Sequence, residues 1–280
     1  MLKKIISNSN RSGLQKLMKY LRHQWSIWYL KNFNSVVRKQ LRDPLSIPVV
    51  IISFNQLKYL KELVSFLLNI GVKNVIILDN DSSYPPLLEY FESIQNDLTI
   101  IRKNSNKGHL SFWKNRDVYR AYSKGYYVVT DADVVPLKSC PKDVLNHLRN
   151  LLDTAFDRTK VGLSLKIDDI PDTNPNKSEI IQWENKYWKS KIDNGVFKAE
   201  VDTTFAMYRP KYDYRLKHFT KAWRTDFPYQ AKHGGWYLDV NSLSEEQRFY
   251  METANESASW QIDDKGELKN KIHKPLYSNE

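Results

Sequence analysis

Tyr126-Tyr127-Val128-Val129-Thr130-Asp131-Ala132-Asp133 reads as a short apolar strand that ends in two carboxylates one residue apart. Val128 and Val129 are β-branched and the two tyrosines suit a pleated surface, so a buried strand is expected. Open α/β sheets bind ligands beyond the carboxyl ends of their strands, where Asp131 and Asp133 fall. Two clustered carboxylates repel each other and are costly to desolvate unless something positive compensates. A divalent cation carrying phosphate oxygens is such a compensator. Taken alone, the pattern is more often a polar turn after a strand, because Asp is a common turn residue. The surrounding chain points the other way.

Upstream, strand and helix patterns alternate through residues 46–135. Pro48 to Phe54 reads as a buried strand, and Leu57 to Ile70 as an amphipathic helix stopped by Gly71. Asn74 to Leu78 is a second strand, and Pro85-Pro86 opens a helix through Ile94. Leu98 to Ile101 is a third strand and His109 to Lys124 a third helix, ahead of the strand that ends in Asp131 and Asp133. This order predicts an α/β fold with a Rossmann-like, mostly parallel sheet flanked by helices. Downstream the alternation weakens. Asp143 to Leu152 reads as a helix, Val161 to Leu165 as a strand, and Phe197 to Tyr208 as extended chain. Residues 166–180 read as a polar loop.

The 280 residues suit one large domain with extensions, and a hydrophobic fraction of 41% suffices for a substantial core. A single cysteine, Cys140, excludes an intrachain disulfide and fits a reducing compartment. No apolar run approaches the roughly 18 residues of a membrane span, and the N-terminus lacks a signal-peptide pattern. A cytoplasmic protein is expected. The net charge of +11 is uneven: residues 1–42 hold ten Lys or Arg and no Asp or Glu, leaving 33 basic and 32 acidic side chains elsewhere. That balance argues against a basic nucleic-acid groove through the main body.

The basic segment also carries Leu14, Leu17, Met18, Leu21 and Trp25 at helical spacing, with Trp28, Tyr29 and Phe33 following. It has two readings: a helix packed on the main domain, or a basic amphipathic segment on anionic lipid at the inner face of a membrane. The expected organisation is a helical extension over residues 1–45, a catalytic domain over 46–240, and a C-terminal helix and polar tail over 241–280. The domain divides into a nucleotide-binding half, 46–135, and an acceptor half, 136–240. Residues 262–280 have the polar composition of a poorly ordered tail.

Three strand ends carry polar clusters: Ser53-Phe54-Asn55, Asp79-Asn80-Asp81 and Asp131-Ala132-Asp133. The third strand is followed by Asn104-Ser105-Asn106-Lys107-Gly108. In a parallel sheet such ends lie along one edge and converge on one ligand. A nucleoside diphosphate suits that set, with a base edge, a carboxylate for ribose hydroxyls, and cations for the diphosphate.

With these four motifs in this order, residues 46–135 resemble the nucleotide-binding half of a GT-A glycosyltransferase, closest to the family 2 type. The likeness continues more loosely to residue 240. It implies a metal-dependent transferase using a nucleotide-sugar donor, a UDP-sugar first, and a glycan or lipid-linked acceptor in cell-surface polysaccharide synthesis. It also implies site roles. Ser53, Phe54 and Asn55 would line the base pocket, and Asp79 with Asn80 would hold base or ribose. Lys107 and Gly108 would form the loop beside the sugar nucleotide. Asp131 would reach ribose or metal, and Asp133 would bind Mn²⁺ or Mg²⁺ directly.

The second half departs from the family. The Glu-Asp pair that supplies a base in inverting members is missing, and the stereochemical outcome stays open. Asp202 and Asp226 are the candidate carboxylates, with Asp202 preferred for its strand-like surroundings. His233 precedes Gly234-Gly235-Trp236-Tyr237, where glycines permit close backbone approach and Trp236 offers a face for a sugar. His233 resembles the C-terminal histidine that several GT-A enzymes add to the metal, and imidazole suits Mn²⁺. Two other classes compete: a sugar-phosphate nucleotidyltransferase and a non-catalytic protein docking its basic N-terminus on lipid or RNA. The first would need an early glycine-rich loop, whereas no glycine follows the first strand until Gly71.

Overall fold

Val49–Ser53 (β1) is buried along its whole length within a nine-stranded sheet. The computed structural model describes residues 10–192, 195–215, 219–255 and 262. Val75–Asp79 (β2), Thr99–Arg102 (β3) and Tyr127–Asp131 (β4) join β1 as parallel neighbours in the order β3-β2-β1-β4. Residues along these strands alternate between two cores. Val49, Ile51, Val75 and Ile77 pack on one face of the sheet, and Val50, Ile52, Ile76 and Leu78 on the other. A parallel sheet covered on both faces needs such unbroken apolar runs. Lys58–Asn69 (α3) and Pro85–Ile94 (α4) supply part of the cover, through Leu60, Leu63, Leu67, Leu87 and Phe91.

Beyond β4 the sheet becomes mixed, so the parallel order expected from the sequence holds for only part of it. Val134–Pro136 (β5) leaves the main sheet, and Lys160–Gly162 (β6) returns to it. Ala206–Tyr208 (β10) runs antiparallel between β4 and β6. Lys221–Thr225 (β11) pairs parallel with β6, and Val196–Glu200 (β9) antiparallel with β11. Lys191–Ile192 (β8) closes that edge. A small second sheet holds β5, Gln230–His233 (β12) and Ser164–Leu165 (β7).

Three expected elements are divided. The helix read over 109–124 splits into Ser111–Lys114 (α5) and Arg116–Tyr122 (α6). At the break Asn115 leaves helical geometry, at φ −91° and ψ 86°, while its side-chain amide donates to the Ser111 carbonyl at 2.9 Å and to its hydroxyl at 3.0 Å. The strand read over 161–165 is shared by both sheets as β6 and β7. Gly162 permits this, since a Cβ there would stand 2.9 Å from the Thr204 carbonyl and from Val201. The extended run 197–208 bends between β9 and β10, which puts Asp202 at a loop. Near the C-terminus Glu245–Thr253 (α7) is a helix, opened by a Ser244/Gln247 capping box. The expected tail beyond residue 262 lies outside the described residues.

The N-terminal segment forms Asn10–Phe33 (α1) and Ser35–Arg42 (α2). α1 rests one side on the domain: His23 Nε2 donates to the Asp153 carbonyl at 2.7 Å, Lys31 pairs with Asp153 at 2.9 Å, and Tyr20 meets Phe156 edge-on. On α2, buried Gln40 exchanges two 2.8 Å hydrogen bonds with the backbone of Tyr126, capping the start of β4. Among the described residues no helix is long and apolar enough to cross a membrane.

Candidate active site

A cleft of about 520 Å³ opens at the carboxyl ends of the parallel strands. One end is lined by Ile52, Phe54, Asn80, Asn106, Gly108 and His109. Asp131, Ala132 and Asp133 form its middle, and Tyr187, Glu200, Asp202, Tyr214 and Arg224 its far end. The loop His233–Trp236 and the α7 residues Glu246, Gln247 and Tyr250 lie along it as well. Register explains the convergence. Ser53 stands level with Asp79, and Ile52 with Asp131.

Asp131 and Asp133 have different surroundings. The Asp131 carboxylate accepts a short hydrogen bond from the Thr203 hydroxyl. Burial, then the neighbouring charges of Asp133 and Asp202, hold Asp131 well above the usual carboxylate range, with the Thr203 bond opposing. Asp133 is buried, and its Oδ2 accepts the Gly235 N–H at 3.2 Å. Its carbonyl accepts the Gly234 N–H at 2.7 Å. This link follows from β5 pairing with β12, which sets Val134 opposite His233.

His233 Nδ1 lies 3.5 Å from Asp133 Oδ2, is itself buried, and makes no hydrogen bond. The ring stacks on buried Trp236, with centroids 4.8 Å apart and planes 15° apart. Gly234 packs flat against Tyr59, where a Cβ would fall 2.3 Å from the ring. Burial, then the charges of Glu62 and Asp133, push the Tyr59 hydroxyl up to about 12. Tyr250 is also shifted up, by burial and then by Asp133 and Asp131. Among the described residues no three His, Cys, Asp or Glu side chains form a ready metal cluster. Asp131 is turned to Thr203, leaving Asp133 and His233 as the facing pair.

In the nucleotide half, Phe54, Asn80 and Gly108 line the cleft, while Ser53, Asn55, Asp79 and Lys107 do not. Asn80 donates to the Gly108 carbonyl at 3.1 Å and accepts from Ser111 at 2.7 Å. Asp79 is buried in its own turn, where Ser82 N–H lies 3.3 Å and Arg102 Nε 3.2 Å from its carboxylate. Asn55 sits at φ 48° and accepts the N–H groups of Ser83 and Tyr84, so it holds the loop. Ser53 is buried, and the Lys107 ammonium donates to Asn115 at 3.0 Å.

In the acceptor half, Asp202 lines the cleft and Asp226 does not; Asp226 pairs with Lys191 at 2.5 Å in the turn between β11 and β12. Residues not singled out from the sequence complete this end. Arg224 pairs with Glu184 at 2.5 Å, both buried, and its Nε donates to the Glu200 carbonyl at 2.7 Å. Lys160 is fully buried below the loop, donating to the Asp202 carbonyl at 2.5 Å and to the Tyr208 hydroxyl at 3.0 Å. Burial lowers its pKa to about 7, opposed by the charges of Asp202 and Asp131. The Glu246 carboxylate accepts the N–H groups of Leu57 and Lys58 at the start of α3, at 2.8 and 3.1 Å. Its only signal in the sequence was the Ser244/Gln247 capping box, which marks a helix but not the partner it meets.

A parallel half-sheet covered on both faces, with a polar cleft at its carboxyl edge, is the arrangement in which open α/β folds bind ligands. The chain belongs to glycosyl transferase family 2, whose model matches residues 49–216. Membership gives it the GT-A fold and favours glycosyl transfer over the nucleotidyltransferase and non-catalytic readings. Similar solved structures include S. aureus TarS 1-349, at 14% identity and TM-score 0.41 over 68% of this chain. This chain spans 60% of that TarS fragment's length. The mannosyltransferase PcManGT from Pyrobaculum calidifontis, in complex with GDP-Man and Mn2+, matches at 12% identity and TM-score 0.42 over 90% of this chain and 72% of its own. HddC from Yersinia pseudotuberculosis matches at 14% identity and TM-score 0.41 over 72% of this chain and 97% of its own. No curated protein matches the chain.

Proposed function

We propose that the cleft takes a nucleotide-sugar, a UDP-sugar first, together with Mn²⁺ or Mg²⁺, and passes the sugar to a glycan or lipid-linked acceptor in cell-surface polysaccharide synthesis. The observation that carries this is the charge of the lining. Asp131, Asp133, Glu184, Glu200, Asp202 and Glu246 face the cleft, and the Arg224 charge is already matched by Glu184. An anionic diphosphate enters such a site only if a cation comes with it.

The donor set fits that cation. An imidazole nitrogen without a hydrogen bond beside a carboxylate oxygen suits Mn²⁺, and Asp131 stands one residue from Asp133. Asp133 and His233 would hold the ion, with Asp131 reaching it or the ribose. When bound, the ion neutralises charge on the departing diphosphate. Phe54, Asn80 and Gly108 would receive base and ribose, and Trp236 would flank the sugar. Asp202 would accept the proton of the acceptor hydroxyl as its oxygen bonds to the anomeric carbon and the sugar–phosphate bond breaks. A lipid-linked acceptor would bring this reaction to the cytoplasmic face of a membrane.

A donor screen tests the reading. Hydrolysis of UDP-, GDP- and dTDP-sugars is measured with and without Mn²⁺. Turnover of one donor class that depends on the ion is expected. Equal turnover after chelation removes the metal from the proposal, and no turnover of any donor overturns it.

A further inference from the structure

We propose that the outward face of α1 is a docking surface for an anionic lipid bilayer. α1 buries His23 and Ile27 against the domain and leaves its other side to solvent. Leu14, Met18, Leu21, Trp25 and Trp28 recur there at intervals of four and three, forming one stripe, and each is more than half exposed. Tyr29 and Phe33 extend it, Tyr29 stacking between Trp25 at 5.7 Å and Phe33 at 5.3 Å. So many large apolar side chains in contiguous exposure mark an interaction surface.

The charge around the stripe selects the occupant. Exposed Lys19 and Arg22 flank it on α1, and exposed Arg38, Lys39 and Arg42 follow on α2. Neither helix contains an acidic residue. A second copy of the chain would bring the same cations against these, and like charges repel. A leaflet of anionic lipid offers what both features need. Its interface accommodates Trp and Tyr rings, its interior takes Leu, Met and Phe, and its phosphates attract Lys and Arg. The inward side of the helix is already engaged with Asp153 and Phe156, so the catalytic domain would be carried to the surface by a fixed element.

The test uses the full chain and sucrose-loaded vesicles of phosphatidylcholine with phosphatidylglycerol, against phosphatidylcholine alone. The protein is expected to sediment with the anionic vesicles, with a blue shift of tryptophan emission, and to be released by high salt. Trp25→Glu combined with Trp28→Glu removes binding. Lys19→Gln and Arg22→Gln together weaken it by about thirtyfold. All four side chains are exposed, so circular dichroism and donor turnover in solution stay unchanged. Vesicle binding that is absent, or indifferent to both variants, overturns the proposal. A dimer in sedimentation velocity that the tryptophan variant disperses also overturns it, making the stripe a self-interface. Turnover without docking sinks this proposal alone, and docking without turnover sinks only the catalytic reading.

Discussion

Asp133 Oδ2 and His233 Nδ1 stand 3.5 Å apart because β12 lies antiparallel to β5 and carries the histidine back over the strand end. The nitrogen has no hydrogen bond of its own, which suits a shared ligand. His233→Ala is expected to raise the Mn²⁺ concentration for half-maximal donor turnover by about tenfold or more. Asp133→Ala is expected to abolish metal-supported turnover in a folded protein. Turnover followed against Mn²⁺ concentration checks both; an unshifted curve for His233→Ala removes it from the ligand set.

The two candidate bases should separate cleanly. Asp202 lines the cleft, whereas Asp226 is held by Lys191 in a surface turn. Asp202→Asn should lower transfer by about 10²–10⁴-fold and spare donor binding. Asp226→Asn should keep transfer and cost no more than about 1 kcal/mol, as for other partly exposed pairs. Transfer rates and calorimetric UDP affinity for both variants decide it, and the reverse pattern moves the base to Asp226.

Gly234 is a packing requirement. A methyl there would lie 2.3 Å from the Tyr59 ring, which is buried and cannot swing aside cheaply. Gly234→Ala should cost about 1–3 kcal/mol and impair turnover by displacing His233 from Asp133. Denaturant unfolding and the metal dependence of the rate measure the two effects. A variant of wild-type stability and metal dependence would show that the loop has room to spare.

Lys160 gives a pH dependence with a definite sign. Burial lowers it to about 7, far below its unfolded value of 10.5. Between those values the unfolded chain holds a proton that the folded chain has released. Stability therefore rises with pH from about 7 upward, by up to about 1.4 kcal/mol per unit from this group. Lys160→Met should flatten that rise, and it should lower transfer by freeing the loop whose Asp202 carbonyl it holds. Urea unfolding of both proteins across this window is the measurement. Parallel pH profiles would place the ammonium's titration elsewhere.

Much of the parallel half was legible because its signals are local. A strand buried on both faces must be apolar without interruption, as Val49 to Ile52 and Tyr126 to Val129 are. Helix α4 begins at Pro85 and ends at Ile94, where the proline pair and the apolar run put it. The antiparallel half was less legible. β6, β7 and β10 have two or three residues each, too few to set up a period. Asn115 divides a helix through a change of backbone conformation that composition does not announce. Asp79 and Asn55, both polar residues at strand ends, turn inward to hold their own loops while Asn80 and Phe54 reach the cleft. That choice depends on one rotation of the backbone.

By itself the sequence determined the apolar strands, their alternation with helices in the parallel half, and the carboxylates at their ends, because each follows from neighbours within a few residues. It also determined that the N-terminal helix is basic and apolar at once. Only the tertiary structure decided which side of that helix is covered. It alone brought His233 to Asp133, set Arg224 against Glu184, slid Lys160 under Asp202, and capped α3 with Glu246. These pairings join residues far apart in the chain. Their partners are fixed by strand register and by the packing of buried surface, neither of which a local pattern encodes.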